Sequence, residues 1–330
     1  MSAFCPLLRH AFLACAAMAA FMSPAFADYP DHPITIIVPY TPGGSTDLVA
    51  RALGQRLTAA WGQQIVVDNR PGAGGSVGAE LVAKAAGDGY TLLLSTNSPL
   101  TTNLFLYKSL GYDTLRDFAP VALVVDSPMV LVVNPKLPAK SLAELIALAK
   151  QKPGELSVGT SGNGATTHLA TAQMEKMAGV KFNLVPYAGG VPSLTAVMSG
   201  EVQAAFSDIV PALPLIKDGR LRVLAVPGLQ RSRVAPDVPT LSESGLTGLN
   251  VLPWTGLVAP ASTPKEIVQK LNREINRILA DPQVKAQILA MGQDELADLS
   301  NNTPEAFAAF LKSEVSRWQQ MVKDAGAKIE

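Results

Sequence analysis

The sequence predicts an α/β protein of two lobes, each a mostly parallel β-sheet flanked by helices, with a ligand cleft between the lobes. Short runs of β-branched residues alternate with segments of helical periodicity, which is typical of doubly wound parallel sheets. This alternation starts a second time partway along the chain, which indicates a second sheet. The 330 residues are also enough to bury two hydrophobic cores.

The first lobe opens with Ile34–Val38, a nearly continuous apolar run typical of a strand that is buried on both faces. A loop of proline and glycine follows. Val49, Leu53 and Leu57 then share one face of a predicted helix. The remaining elements predicted for this part are a strand at Ile65–Val67, a helix over Val77–Ala86 and a strand at Thr91–Leu94.

The second lobe repeats the alternation. Its predicted elements are strands at Met129–Val133, Leu156–Val158, Leu184–Val185, Val202–Phe206 and Leu221–Val226, and a helix over Ala165–Ala178. An extended segment at Val251–Val258 leads back to the first sheet. We therefore expect the first lobe to comprise residues 28–127 and 251–330, and the second lobe residues 128–250. The C-terminal helices are expected to cover the first lobe.

Three helix starts carry local signals. Ser141 with Glu144, and Thr263 with Glu266, have the spacing of a capping box, in which the first side chain accepts a backbone N–H of the first turn. In the second of these, Pro264 would occupy the favoured first helical position. Thr303 and a following proline predict the start of the last helix.

The N-terminus reads as a cleaved signal peptide, residues 1–27, which predicts a secreted, periplasmic protein. An apolar run follows Arg9, and Ala25-Phe26-Ala27 has the form of a cleavage site. The run is shorter than the roughly 20 residues that span a bilayer. A lipid anchor at Cys15 is a weaker alternative. Both cysteines lie in this segment, so we expect no disulfide and no thiol chemistry in the mature chain.

Composition argues against several functions. Removing Arg9 with the signal peptide leaves 26 basic against 27 acidic residues, and no basic stripe is present, so a nucleic-acid partner is not expected. With two histidines and no cysteine in the mature chain, no metal site is predicted. No cofactor is predicted either, because Val77 stands where a dinucleotide fingerprint starting at Gly72 needs its last glycine.

Four loops that follow predicted strands are rich in glycine, serine and threonine and contain neither arginine nor lysine. Ligands of open parallel sheets bind beyond the carboxyl ends of the strands, where helix N-termini can hold an anion. We therefore expect a small carboxylate ligand. The expected contacts in these loops are Tyr40, Thr41, Gly43, Gly44, Ser45, Thr46, Ser95, Asn97, Ser161, Gly162, Gly164, Ala165, Thr166, Thr167, Tyr187 and Gly189.

Two further side chains have alternative interpretations. Asp208 follows a predicted strand and either reaches the cleft or caps the next helix. His168 lies in the first turn of a helix and is expected to brace the loop before it. The alternative is a secreted hydrolase that uses Ser161 and His168, although their spacing makes a direct hydrogen bond doubtful. We expect no catalysis.

The chain resembles the substrate-binding proteins of tripartite tricarboxylate transporters, also called the Bug family, along its whole mature length. The segments that carry the resemblance are Pro39–Asp47, Asn69–Gly75, Tyr112–Val121, Gly162–Leu169, Val185–Tyr187 with Gly200, and Pro236–Gly245. The resemblance implies a type II periplasmic binding-protein fold. It further implies that the loop after the first strand and the loop before the His168 helix pinch a ligand carboxylate between them.

The resemblance also implies delivery of the ligand to one large and one small integral membrane subunit. We expect the receptor itself to be a monomer. Thr41, Asn163, Thr166 and Thr167 lie where the family varies, so the resemblance does not identify the ligand. Di- and tricarboxylates, acidic amino acids and aromatic acids stay open. A sensory binding protein that engages a membrane kinase is a further alternative, because it would need the same cleft.

Overall fold

The computed structural model of the chain describes residues 29–249, 251–296 and 298–327. The predicted signal peptide, with Cys5 and Cys15, lies outside the described residues. Each of two five-stranded sheets has helices packed against it, and the predicted fold class is confirmed.

The first sheet has the strand order β2-β1-β3-β10-β4. Strands β1, β2, β3 and β4 run in one direction, and β10 runs antiparallel to both of its neighbours. The sheet is therefore mostly parallel, as the sequence predicts. Its strands are β1 Ile34–Val38, β2 Ile65–Asn69, β3 Thr91–Thr96, β4 Phe118–Asp126 and β10 Trp254–Pro260.

The second sheet has the order β7-β6-β8-β5-β9, and β5 is its single antiparallel strand. In each sheet the antiparallel strand, β10 or β5, is the one that directly follows a crossover from the other sheet. The strands are β5 Met129–Val133, β6 Ser157–Thr160, β7 Asn183–Pro186, β8 Ala204–Asp208 and β9 Arg222–Ala225.

The helices cover both faces of the sheets. The amphipathic helix α9 buries Leu271 and Ile275 beneath a polar outer face, and each such side chain contributes about 1.5–3 kcal/mol of hydrophobic stabilisation. The helices are α1 Ser45–Trp61, α2 Ser76–Ala83, α3 Asn103–Leu106, α4 Thr114–Asp117, α5 Leu142–Gln151, α6 Thr166–Ala178, α7 Gly190–Ser199, α8 Ile209–Lys217, α9 Lys265–Ala280, α10 Pro282–Ala290 and α11 Pro304–Ala325.

Two of the three predicted helix starts are confirmed. The Ser141 hydroxyl accepts the Glu144 N–H, and Thr303 caps α11 through the Ala306 N–H. The prediction for Thr263 is wrong. Pro264 has an extended ψ of 140° and is itself the N-cap residue of α9, so Thr263 lies too far from the first turn to cap it.

The chain passes between the sheets at Ser127–Pro128 and again before Trp254. The last helix, α11, bridges both cores. Phe307 packs in a core cluster of the first sheet, whereas Trp318 and Val322 pack in the core of the second. The second half of α11 therefore packs in the core of the second sheet, whereas the C-terminal helices were expected to cover the first lobe.

Candidate functional site

A cleft of about 790 Å³ opens between the carboxyl ends of strands from both sheets. Its walls come from the loops after β1, β3, β6, β7 and β8 and from the two crossovers. This is where open parallel sheets place their ligands. Among the described residues that line it, Asp208 is the one charged side chain, and the rest are neutral.

The loop after β1 is held in shape by a buried carboxylate. Asp47 accepts hydrogen bonds from the Gly43 N–H at 2.9 Å, from Arg51 Nε at 3.0 Å and from Asn69 Nδ2 at 3.1 Å. Burial by itself raises the pKa of the Asp47 carboxyl, but these three donors outweigh it and hold the pKa below its usual range. The charge of Asp47 is therefore used to brace the loop.

The loop after β6 is braced from the helix that follows it. Thr167 Oγ1 lies 2.8 Å from both the N–H and the hydroxyl of Ser161. The Gly164 N–H donates to Nδ1 of His168 at 2.9 Å. Burial lowers the pKa of His168, which keeps the imidazole neutral and able to accept this bond. The bracing role predicted for His168 is what this geometry supports.

Gly164 is required at its position by both conformation and space. Its φ is +74°, a left-handed conformation that side chains disfavour. A Cβ there would also lie 2.9 Å from the methyl groups of Leu106, which follows the first sheet's β3. The loop after β6 thus packs closely against an element of the opposite wall.

Four helices begin at the cleft without a side-chain cap. The residues before α1, α6, α7 and α8 are Gly44, Ala165, Gly189 and Asp208, and none of them makes a side-chain hydrogen bond to its helix. Away from the cleft, side chains cap α4, α5, α10 and α11. In α8 the Ile209 N–H donates to the Pro128 carbonyl. The first-turn N–H groups of α1, α6 and α7 that face the cleft are left for water or a ligand.

Asn97 adds a donor at the floor of the cleft. The residue is 1% exposed, and its Nδ2 has no hydrogen-bond partner among the described residues. An unsatisfied buried donor costs free energy, which a ligand acceptor at that place would recover. Beside it, the Tyr40 hydroxyl is fixed by a hydrogen bond of 2.5 Å to Thr96 Oγ1.

The structure brings most of the predicted contacts together. Those that line the cleft are Tyr40, Gly43, Gly44, Ser45, Thr46, Asn97, Ser161, Gly162, Gly164, Ala165, Thr166, Thr167 and Asp208. Of the two interpretations of Asp208, the cleft position is observed and the cap is not, because its side chain makes no bond to α8.

The other four predicted contacts lie off the cleft wall. Ser95 is fully buried because β3 runs on to Thr96, two residues further than predicted, and the Ser95 hydroxyl bonds the Thr96 carbonyl. The Tyr187 hydroxyl donates to Glu201 at 2.8 Å. Thr41 is exposed in its loop, and Gly189 precedes α7 without reaching the wall.

The residues that the crossovers contribute were not predicted from the sequence. Ser127 and Pro253 line the cleft at the two passages between sheets. The Ser127 hydroxyl donates to Gln293 Oε1 at 2.6 Å, and Gln293 lines the cleft as well. The predicted lobe boundaries, after residues 127 and 250, were the available signal for the first two. No local signal marked Gln293.

The hydrolase alternative lacks its central hydrogen bond. In the described residues, the hydroxyl of Ser161 pairs with Thr167, and Nδ1 of His168 accepts from backbone, so nothing pairs the serine with the histidine. Within the same residues, no group of three or more histidine, cysteine, aspartate or glutamate side chains could hold a metal ion. No helix in the described part of the chain is long and apolar enough to cross a membrane.

Solved structures with the same fold include receptors with bound dicarboxylates. A protein from R. palustris solved with adipate is 35% identical, has a TM-score of 0.78, and the match covers 91% of this chain and 99% of that one. MatC from Rhodopseudomonas palustris with bound malate is 33% identical, with a TM-score of 0.74 and coverage of 89% and 100%. The periplasmic binding protein BugD is 34% identical, with a TM-score of 0.75 and coverage of 92% and 100%.

Sequence comparison gives the same family. Protein BugT of Bordetella pertussis is 40% identical over 321 residues, which cover 97% of this chain and 96% of that protein. Residues 49–327 match the tripartite tricarboxylate transporter family receptor. The resemblance stated from the sequence is confirmed. The chain belongs to the tripartite tricarboxylate transporter family receptors, the solute-binding proteins of these transporters.

Proposed function

We propose that this receptor captures a small carboxylate in the cleft between its two sheets and passes it to a tripartite tricarboxylate transporter. The observation that carries the proposal is the cleft wall, in which four helices begin without a side-chain cap and no lysine or arginine lines the described part. Each N-terminus carries roughly half a positive charge, worth about 0.3–2 kcal/mol to a nearby anion.

Helix N-termini from both sheets contribute to binding the carboxylate. The N-termini of α1 and α6 belong to opposite walls, and each lies behind a loop held by its own brace, Asp47 in one and His168 in the other. Prearranged donors bind an anion without paying for loop ordering. Because no ion pair with a basic side chain has to break, the ligand can also be released readily, which suits a receptor that delivers its cargo.

The cleft has a suitable size and a further donor. Its volume of about 790 Å³ lies within the range of small-molecule sites. The Nδ2 of Asn97 is the kind of unsatisfied donor that a ligand oxygen would complete. The bound adipate and malate of two related receptors support a carboxylate as the ligand class.

The rest of the proposal follows from the sequence and the family. We propose that residues 1–27 are removed on export, that the mature monomer works in the periplasm, and that it docks on one large and one small membrane subunit. We propose that the lobes are residues 28–127 with 251–330, and residues 128–250. Binding proceeds by closure of the lobes about the two crossovers, without turnover of the ligand.

A thermal-shift panel of mono-, di- and tricarboxylates tests the ligand class. A ligand at 100 times its Kd stabilises the native state by about 2.7 kcal/mol, so a bound acid raises Tm measurably. Stabilisation by sugars or cations, with no response to any carboxylate, would contradict the proposal.

The site itself is tested by Gly44→Val. A Cβ at Gly44 meets only the Thr41 carbonyl at 3.6 Å, and its φ of −75° suits any residue, so the fold should tolerate valine. We expect ligand-induced stabilisation to disappear, because the isopropyl group occupies the space before the α1 N-terminus. Ala59→Val, on the exposed last turn of the same helix, is the matched control and should bind normally.

A further inference from the structure

Asp208 places one negative charge in a cleft that is otherwise built for anions. It ends β8 and directly precedes α8, at the point where Pro128 of the first crossover accepts the Ile209 N–H at 3.0 Å. No other described residue of the cleft wall carries a charge. A ligand held at the helix N-termini is therefore within the field of one unbalanced carboxyl group.

The carboxyl of Asp208 makes no contact that stabilises the described part of the fold. Aspartate is among the best helix N-cap residues, yet this side chain makes no bond to α8. No salt bridge or side-chain hydrogen bond among the described residues engages its oxygens. Asp47 differs, because three donors of the protein itself form hydrogen bonds to its carboxylate. The Asp208 oxygens are left to face whatever occupies the cleft.

We infer that Asp208 pairs with a cationic group of the ligand, so that the receptor selects carboxylic acids bearing an ammonium group over the same acids without one. The inference rests on the proposed function and narrows its ligand class to zwitterions. A plain dicarboxylate would bring a second negative charge close to Asp208, and like charges repel. An ammonium group would instead donate a charge-assisted hydrogen bond to Asp208.

The environment of the Asp208 carboxyl agrees with this inference. Asp208 is open to solvent in the cleft, but the surrounding protein still desolvates its carboxyl and raises the pKa above the usual range. A carboxylate that is destabilised in the empty protein gains more from a cation than a fully hydrated one does. The cationic group of the ligand would supply the missing partner.

The experiment compares acids in pairs that differ by one amino group. The pairs are propionate with alanine, succinate with aspartate, glutarate with glutamate, adipate with 2-aminoadipate and 3-phenylpropionate with phenylalanine. Binding to the full mature protein is measured by calorimetry at constant pH. We expect the amino member of the best-binding pair to bind about tenfold more tightly or better, the range of a hydrogen bond between charged groups.

The variant Asp208→Asn removes the charge and keeps the size of the side chain. It should weaken the amino acid about tenfold and leave its deaminated partner unchanged or improved, so the preference within the pair is lost. Asp218→Asn, at the exposed far end of α8, is the matched control and should keep the preference.

The outcomes separate this inference from the proposed function. If the deaminated acids bind as well as the amino acids, or if Asp208→Asn leaves the preference intact, the inference is overturned while carboxylate binding stands. If no acid of any pair binds but another carboxylate of the thermal-shift panel does, the inference is overturned and the proposed function stands. If no carboxylate binds at all, the proposed function fails and the inference fails with it.

Discussion

Some side chains of this cleft favour ligand binding at a cost in stability to the ligand-free protein. Asn97 is 1% exposed, and its Nδ2 has no hydrogen-bond partner among the described residues. Asn103, also on the cleft wall, shows the opposite case, because its Nδ2 donates to the Gly74 carbonyl and to Ser76 Oγ. Of these two buried asparagines in one wall, Asn103 uses its amide within the protein, whereas the Asn97 amide is left without a partner.

We predict that Asn97→Leu separates stability from binding. Replacing an unsatisfied buried amide with an apolar group of similar size should leave the free energy of unfolding of the empty protein unchanged or raise it by about 1 kcal/mol. Carboxylate affinity should fall about tenfold, since one donor to the ligand is gone. Urea denaturation and calorimetry measure the two quantities.

The matched variant Asn103→Leu should do the reverse in the empty protein. It leaves two acceptors that Asn103 now satisfies without their donor, and we expect a loss of about 1–3 kcal/mol. If Asn97→Leu destabilises the empty protein as much as Asn103→Leu does, the Asn97 amide has a structural partner and is not reserved for the ligand.

At the scale of elements, the cleft depends on loops whose shape the neighbouring helices enforce. The loop after β1 is fixed by Asp47 from inside α1, and the loop after β6 by Thr167 and His168 from inside α6. In each case a side chain in the first turn of the helix accepts a backbone N–H of the loop. The helix thus positions both its own N-terminus and the strand end that faces it.

The hydrogen bonds of Asp47 should make the free energy of unfolding depend on pH. Because the pKa of Asp47 is lower in the folded than in the unfolded state, its contribution is complete above the unfolded-state pKa of about 4 and is lost as pH falls through the folded value. Asp47→Asn should reduce the free energy of unfolding by about 1–3 kcal/mol at neutral pH. The difference from the parent protein should shrink toward acid pH.

Urea midpoints measured from about pH 3 to 7 test this linkage. Asp218→Asn serves as the control, because that carboxyl is exposed and makes no ion pair in the described structure. A difference between Asp47→Asn and the parent that stays constant with pH would show that the carboxylate charge is not what holds the loop.

Elements that have a clear local signal could be predicted from the sequence. Ile34–Val38 is apolar throughout, and Ser141 and Thr303 carry cap signals, so all three elements are found where expected. Strand β4 was missed because Pro120 interrupts a run that pairs only through the distant β10. The Thr263 cap failed because the backbone of Pro264, not the side-chain pattern, sets the start of α9.

The residues of the candidate site likewise divide into those with a local sequence signal and those without one. Loops that follow predictable strands were found, because glycine, serine and threonine mark them in the sequence. Gln293 was not, because it reaches the cleft by a contact with Ser127, which lies 166 residues away in sequence. Such a contact depends on how the last helices fold back over the crossovers, and no local pattern encodes it.

At the scale of the whole molecule, α11 ties the two sheets together. Glu314, 4% exposed in the middle of the helix, accepts the indole N–H of Trp254 and that of Trp318, each at 3.0 Å. Trp254 packs in a core cluster of the first sheet and Trp318 in that of the second. Arg317 pairs with the same carboxylate. One buried side chain therefore connects two cores whose strands belong to separate sheets.

This connection predicts that both sheets unfold in one transition. Trp318→Ala removes a fully buried indole from the second core and should cost about 3–5 kcal/mol. Since α11 also carries Phe307 into the first core, loss of its docking should weaken the first sheet too. Amide hydrogen exchange resolved by segment should therefore speed up in β1 and in β6 alike.

The matched variant is Phe307→Ala, which cuts the other end of the helix from the first core. It should accelerate exchange in the same two strands, because in a cooperative unit the place of the lesion does not decide which part opens. The reverse pattern, with Trp318→Ala affecting only β6 and Phe307→Ala only β1, would mean that the sheets are independent folding units. In that case α11 would join two domains without coupling them, and closure on the ligand would have to be driven from the cleft alone.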